Sequence, residues 1–179
     1  MNKKYLYSIL VVSLLLVAAI GFSGCLEQQE AGNGNFELYI SDRKADIDDF
    51  DSLDVTFDQA RIFNANDSFA VYDLNETEVD LTKLKGANAT EILNTTLDPG
   101  NYTKIELYVT GTEGIVNGTE VGVKVPSEKL QIQSNFTIER DETTRFVFDI
   151  TVVEKGATGE YNLIPVISES GVNKQVNAK

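Results

Sequence analysis

The stretch Asp98-Pro99-Gly100-Asn101-Tyr102-Thr103-Lys104-Ile105-Glu106-Leu107-Tyr108-Val109 decides the fold. Proline followed by glycine at the centre of a four-residue turn joins a fixed negative φ to an accessible positive one, which is what a type II turn requires. Beyond the turn, Thr103, Ile105, Leu107 and Val109 are expected to face inward, alternating with Tyr102, Lys104, Glu106 and Tyr108. A period of two belongs to a half-buried strand, whereas a helix would scatter the same residues around its circumference.

The same pattern extends in both directions. Phe36, Leu38 and Ile40 alternate with polar neighbours, as do Leu53, Val55 and Phe57. Ala60 and Ile62 continue the second set only if one residue is inserted near Gln59, which predicts a β-bulge. Ser68–Leu74 reads as a third strand and Glu78–Leu81 as a short fourth, whereas between Lys83 and Leu97 the pattern weakens and Ala89–Leu93 suggests one helical turn. Val116-Asn117-Gly118-Thr119 predicts a tight hairpin, because Asn-Gly accepts two positive φ values. Its second strand is expected to run to Val125 and stop at Pro126. Leu130, Ile132, Phe136 and Ile138 mark the next strand. Phe146, Phe148, Ile150 and Val152 form the richest apolar face, and Tyr161–Ile167 is the last strand. About nine strands with short turns predict an all-β fold, an antiparallel β-sandwich of immunoglobulin-like or transthyretin-like type. Residues 36–168 make one domain, followed by a frayed tail at 169–179.

The ordered segments Ile40-Ser41-Asp42, Leu53-Asp54-Val55-Thr56-Phe57, Val79-Asp80-Leu81, Pro99-Gly100-Asn101-Tyr102-Thr103-Lys104-Ile105, Val125-Pro126-Ser127 and Leu163-Ile164-Pro165-Val166 resemble domain of unknown function 4382. The resemblance covers most of Phe36 to Ile167. It implies a β-rich domain of a prokaryotic surface lipoprotein and implies no activity.

The N-terminus reads as an address. Asn2-Lys3-Lys4 gives a positive start, Ile9–Ile20 an uncharged apolar run, and Phe22-Ser23-Gly24-Cys25 a small-residue step before a thiol. This predicts a lipoprotein signal peptide over residues 1–24, with lipidation of Cys25, the only cysteine of the chain. One acyl chain holds a membrane only marginally, so a second on the same residue is expected. Residues 25–35 are polar and glycine-containing and read as a flexible tether.

The 179 residues carry 15 Lys+Arg against 28 Asp+Glu, a net charge of −13, and no histidine. Residues 1–24 contain two lysines and no acid, so the remaining 155 residues carry −15. Nucleic acid is not an expected partner of so acidic a chain. Without imidazole there is no Ser-His or Cys-His pair and no histidine-ligated zinc.

Asn-x-Ser/Thr occurs at Asn66, Asn75, Asn88, Asn94, Asn101, Asn117 and Asn135. Chance in this composition gives about two such tripeptides, so asparagine glycosylation is expected at these positions. Asn66, Asn75, Asn101 and Asn117 lie at predicted turns, Asn88 and Asn94 in the irregular segment, and Asn135 on an outward strand position. Together with a lipidated cysteine, the sequons point to an archaeal cell surface, outside the membrane.

Asp42, Asp46, Asp48, Asp49, Asp51 and Asp54 crowd the link between the first two strands, a density of hard oxygen donors that suits calcium. They depart from an EF-hand loop in lacking its glycine, and a solvated acidic loop, with Ile47, Phe50 and Leu53 tucked inward, is the more ordinary explanation because charge runs usually face water. Calcium is the one cofactor that the residues suggest. Tyr39, Tyr72, Tyr102, Tyr108 and Tyr161 could offer rings to a carbohydrate or simply cover the sheets. No pair among the 28 acids stands out as a glycosidase pair and no nucleophile motif occurs. The expected role is a non-catalytic, lipid-anchored, N-glycosylated surface protein that binds a surface protein or glycan or builds the envelope. The alternatives are a calcium-dependent receptor for a small ligand or carbohydrate and, remotely, a hydrolase.

Overall fold

The computed structural model describes residues 32–42, 45–75, 77–156 and 158–178, with the backbone alone for Ala45 and Asp46. The expected signal peptide and Cys25 lie outside them. The described residues form thirteen strands: β1 (Gly34–Ser41), β2 (Ser52–Asn64), β3 (Phe69–Asp73), β4 (Glu78–Asp80), β5 (Asn88–Leu97), β6 (Gly100–Val116), β7 (Thr119–Val121), β8 (Val123–Lys124), β9 (Lys129–Ile138), β10 (Thr143–Glu154), β11 (Tyr161–Pro165), β12 (Gly171–Val172) and β13 (Asn177–Ala178). Three short 3-10 turns complete the list, and no described helix is long and apolar enough to cross a membrane.

The first sheet runs β13-β5-β1-β10-β11-β8, with β12 also on β10. The second runs β3-β2-β6-β7, with β4 on β2 and β9 on β6. Their facing sides share one core. Phe36, Leu38, Ile40, Phe146, Phe148 and Ile150 enter it from the first sheet, and Leu53, Val55, Phe57, Ile105, Leu107 and Ile132 from the second. These are the residues that alternation placed inward, and the all-β sandwich reading holds.

Other expectations are corrected. There are more strands than nine because several are only two or three residues long. The sheets are mostly antiparallel, yet β1 pairs with β10 in parallel at the centre of the first sheet. The segment read as weak, with a helical turn at Ala89–Leu93, is the ten-residue strand β5. Its alternation breaks because a register shift opposite Leu38/Tyr39 leaves Ile92 and Leu93 both buried. The expected bulge near Gln59 is present, with register shifts between Thr56 and Ala60. A second one lies opposite Tyr102/Lys104, and there Tyr102, not Thr103, packs toward the core, with its ring 5.4 Å from that of Phe136.

The strand expected to run from Thr119 to Val125 divides at Gly122. Its first part pairs with β6 in the second sheet and its last part with β11 in the first. The Asn-Gly hairpin is as expected, with φ of 50° at Asn117 and 70° at Gly118. The tether read through Asn35 ends earlier, since Asn35 N–H donates to the Glu142 carbonyl (2.8 Å) and β1 starts at Gly34. A side chain at Gly34 would collide with the Glu139 carbonyl and Ile138. The tail from Glu169 is not frayed. β12 pairs with β10, β13 pairs with β5, and Val176 between them packs on Tyr39, Ala89 and Val147 across the outer face of the first sheet.

Phe146 sits at the centre of the core with its ring 5.3 Å from Phe136. Phe146→Ala should lower unfolding free energy by about 3–5 kcal/mol, read as a lower urea midpoint at unchanged slope.

Candidate functional site

The outer face of the second sheet carries the most concentrated chemistry. Because Ile62, Ile105, Leu107, Leu130 and Ile132 point into the core, the residues between them point away from it. Register then assembles rows from distant parts of the chain. Arg61 stands between Val71 and Glu106, Phe63 between Phe69 and Lys104, and Tyr108 opposite Lys129.

Glu106 organises this face. It is only 3% exposed and receives both Lys129 (3.0 Å) and Lys104 (3.2 Å) on one carboxylate oxygen. Burial raises its pKa, but hydrogen bonds from Lys129 and Lys104, aided by their charges, outweigh it and hold the carboxyl below the ordinary value. Arg61 faces the same carboxylate across the β2–β6 ladder, yet its guanidinium lies between two rings, 4.5 Å from the centre of Tyr108 and 5.1 Å from that of Phe69. It makes no ion pair among the described residues, and its buried Nε has no hydrogen-bond acceptor. Lys104 also lies 3.5 Å above the ring of Phe63. Three cations thus gather around one carboxylate that pairs with only the two lysines, a positive patch on a chain of charge −13. Phe69 and Val71, about half exposed, form its apolar border.

Toward the other end the same sheet turns acidic. Asp54 pairs in register with both Glu113 and Asp80. Burial, followed by the charges of Asp80 and Glu78, raises the Asp54 pKa. Asp80 is lowered despite burial, because Thr82 and Lys83 donate to it as it caps the 3-10 turn Leu81–Leu84.

Of the six aspartates expected to suit calcium, the five with described side chains lie apart, and among the described residues no three His, Cys, Asp or Glu side chains gather as ligands would. Asp42 is fully buried beside Lys85 in a backbone bridge. Asp48 pairs with Lys85 (2.8 Å), Asp49 is exposed, and Asp51 accepts from Gly118 N–H (2.8 Å). Asp54 belongs to β2, and the Asp46 side chain lies outside the described atoms. Of the five tyrosines, Tyr72, Tyr102 and Tyr161 pack with the core and Tyr39 lies under the C-terminal segment, which leaves Tyr108 on an open face.

The sequons spread over the surface. Asn66 is in the β2–β3 turn, Asn75 follows β3, Asn117 is in the β6–β7 turn and Asn135 lies on β9. Asn101 is the second residue of β6 rather than part of a turn, and Asn88 and Asn94 belong to β5 rather than an irregular segment. Asn88 is half-buried and the other six are exposed.

The outer face of the first sheet holds a buried polar network. Ser41 donates to Asp149 (2.6 Å), Asp149 N–H donates to Ser170 Oγ (2.9 Å), and Ser170 donates to the Val166 carbonyl (2.8 Å). Tyr39 donates to Glu91 (3.1 Å), and its pKa is pushed up to about 12 by burial, that bond and the charges of Glu37 and Glu91. These groups are spent on holding the tail to the sheet.

Two features were missed by sequence reasoning: the Arg61–Tyr108–Phe69 stack and the Lys pair on Glu106. The available signal was three cations on outward strand positions of an acidic chain. Fold and face together define a two-sheet, all-β domain with a cation–aromatic surface. The chain belongs to the family described as Domain of unknown function (DUF4382), which matches residues 33–165. No curated protein and no solved structure matches it.

Because the Glu106 pKa is lowered in the fold, its contribution is present above the unfolded value near 4.5 and lost as pH falls through the folded value. The stability difference between wild type and Glu106→Gln should therefore shrink as the pH is lowered from neutrality through the carboxylate range, measured by urea midpoints at each pH. Ser41→Ala, which removes a donor from a buried carboxylate, should cost about 1–3 kcal/mol in the same assay.

Proposed function

We propose that this protein is a lipid-anchored, N-glycosylated, non-catalytic binding module on the outer face of an archaeal cell membrane, and that the outer face of the second sheet is its binding surface. The lipid anchor rests on the apolar leader that ends at Cys25, and the surface location on that leader together with seven sequons. The observation that carries the binding role is the Arg61–Lys104–Lys129 patch, three cations around one carboxylate in a chain with nearly twice as many acids as bases. Side chains of that kind, half-exposed and set beside Phe69 and Val71, offer both charge and apolar area to a partner.

The sequons support the same assignment. None of the seven falls within Gln59–Phe63, Phe69–Asp73, Lys104–Tyr108 or Lys129–Gln133, the stretches that form the patch. Asn94, by contrast, lies on the outer face of the first sheet opposite Glu37. Asn135 is the sequon that borders the patch, two residues along β9 from Gln133 and lining one hollow with Lys104, so a glycan there would stand at the Lys104 end of the face.

Cys25→Ser should move the protein from the membrane to the soluble fraction and remove the acyl mass from its N-terminal peptide, checked by fractionation and mass spectrometry. A photo-reactive residue at Val71 on intact cells should give higher-mass adducts that one at Ile167, which is more exposed still, does not. Equal labelling from both positions would discard the second sheet as the binding surface.

A further inference from the structure

We infer that the ligand of the second sheet's outer face is an acidic carbohydrate, a polysaccharide bearing uronic-acid carboxylates; this rests on that face being the binding surface. The donors available there fit both functional groups of such a polymer. Arg61 is the carboxylate-binding element. Stacking between Tyr108 and Phe69 fixes the guanidinium plane, and the protein supplies it with no carboxylate among the described residues. A planar fork held in place in this way is prepared for two parallel hydrogen bonds to a carboxylate.

Lys104 and Lys129 differ from Arg61 in being tied to Glu106, but both spend their bonds on the same oxygen, so together they retain positive charge. The three cations stand on three neighbouring strands, β2, β6 and β9, about 4.8 Å apart from one to the next. They therefore span a distance of the order of a disaccharide.

The hydroxyl-binding element is a set of amides beside the cations. Gln131 lies opposite Glu106 and Gln133 opposite Lys104 on β9, and Gln59, opposite Asp73, continues the outward side of β2 beyond Arg61. Each amide both donates and accepts, which suits hydroxyls that do the same. The half-exposed ring of Phe69 adds a flat apolar surface for the C–H face of a sugar.

An acidic peptide fits less well. Peptides dock by adding a strand to a sheet edge or by filling a groove, and acidic ones on clusters of arginine, whereas here one arginine stands alone and both lysines are tied to Glu106. The backbone at the centre of this face is already committed to the β2–β6 and β6–β9 ladders, so only side chains are on offer. Nucleic acid carries a denser negative charge that the remaining acids of the chain would repel.

The test uses the full chain in non-ionic detergent and surfaces coated with polygalacturonate, dextran or poly-L-glutamate. Binding to polygalacturonate at physiological ionic strength, at least about tenfold weaker on the other two, is expected. Arg61→Gln should weaken it by about tenfold or more, while Lys155→Gln, the same charge change on the β10–β11 connection, should leave it unaltered. Unchanged melting of Arg61→Gln shows that the loss is not unfolding, and Lys129→Gln serves as the second variant if Arg61→Gln melts early. Equal or tighter binding to poly-L-glutamate overturns the inference in favour of an acidic protein partner, and binding that survives both substitutions overturns the site. No binding to any polymer overturns the acidic carbohydrate; adducts from Val71 on cells would then leave the binding surface standing, and their absence would remove both.

Discussion

The parallel pairing of β1 with β10 is the constraint on which the first sheet depends. It joins segments more than a hundred residues apart, and the other strands of that sheet attach to one of these two either directly or, for β13 and β8, through β5 and β11. β5 adds to β1, whereas β11 and β12 add to β10. Two parallel strands need a long crossover, and here the entire second sheet is inserted between them. The pair is secured on both sides. Phe36, Leu38, Ile40, Phe146 and Phe148 bury its inner side in the core, and the Ser41–Asp149 hydrogen bond lies on its outer side. A fully buried carboxylate is costly unless its hydrogen bonds are made, so the Ser41 hydroxyl favours this register over one shifted by a residue.

That arrangement also explains why the C-terminal segment cannot be dispensable surface. Val147 and Asp149 face outward from β10 yet are fully buried. Val176 covers the first, and Ser170 accepts from the backbone N–H of the second. Removing the segment would expose an apolar side chain and reopen a buried polar network. The family match ends at residue 165, so in this chain the outer face of the first sheet is closed by residues beyond the matched region.

What was legible in the sequence follows from where each residue's neighbours come from. β2, β6, β9 and β10 face water or a thin cover on one side, so alternation reported their inner faces directly. β5 was hidden because its bulge breaks the period and because Asn, Thr and Glu fill its outer positions. The last strands were hidden because two-residue pairings have no period to detect. Thr103 was placed inward because a bulge flips the phase of everything on one side of it, and nothing in Asn101-Tyr102-Thr103 announces an inserted residue. The cationic face was least legible. Arg61, Lys104 and Lys129 are separated by some forty and then twenty-five positions and meet only through the β2–β6–β9 register.

The charge distribution around Glu106 sets what such a face can recognise. A carboxylate directly opposite Arg61 in the ladder would ordinarily be its partner. By drawing Lys104 and Lys129 inward instead, Glu106 leaves the guanidinium to the rings and its charge to solvent. The acids elsewhere, Asp54 and Glu113 on the same sheet among them, would repel an approaching anion at long range. Screening confines that repulsion to about 8 Å at physiological salt, so it slows encounter more than it weakens a complex already in contact. A ligand of sparse negative charge that also carries hydroxyl groups gains from the cations and amides at contact while feeling little of the repulsion. On the proposed binding surface a densely charged polyanion would feel the whole of it, so the acidity of the chain would filter the ligands that reach this positive face.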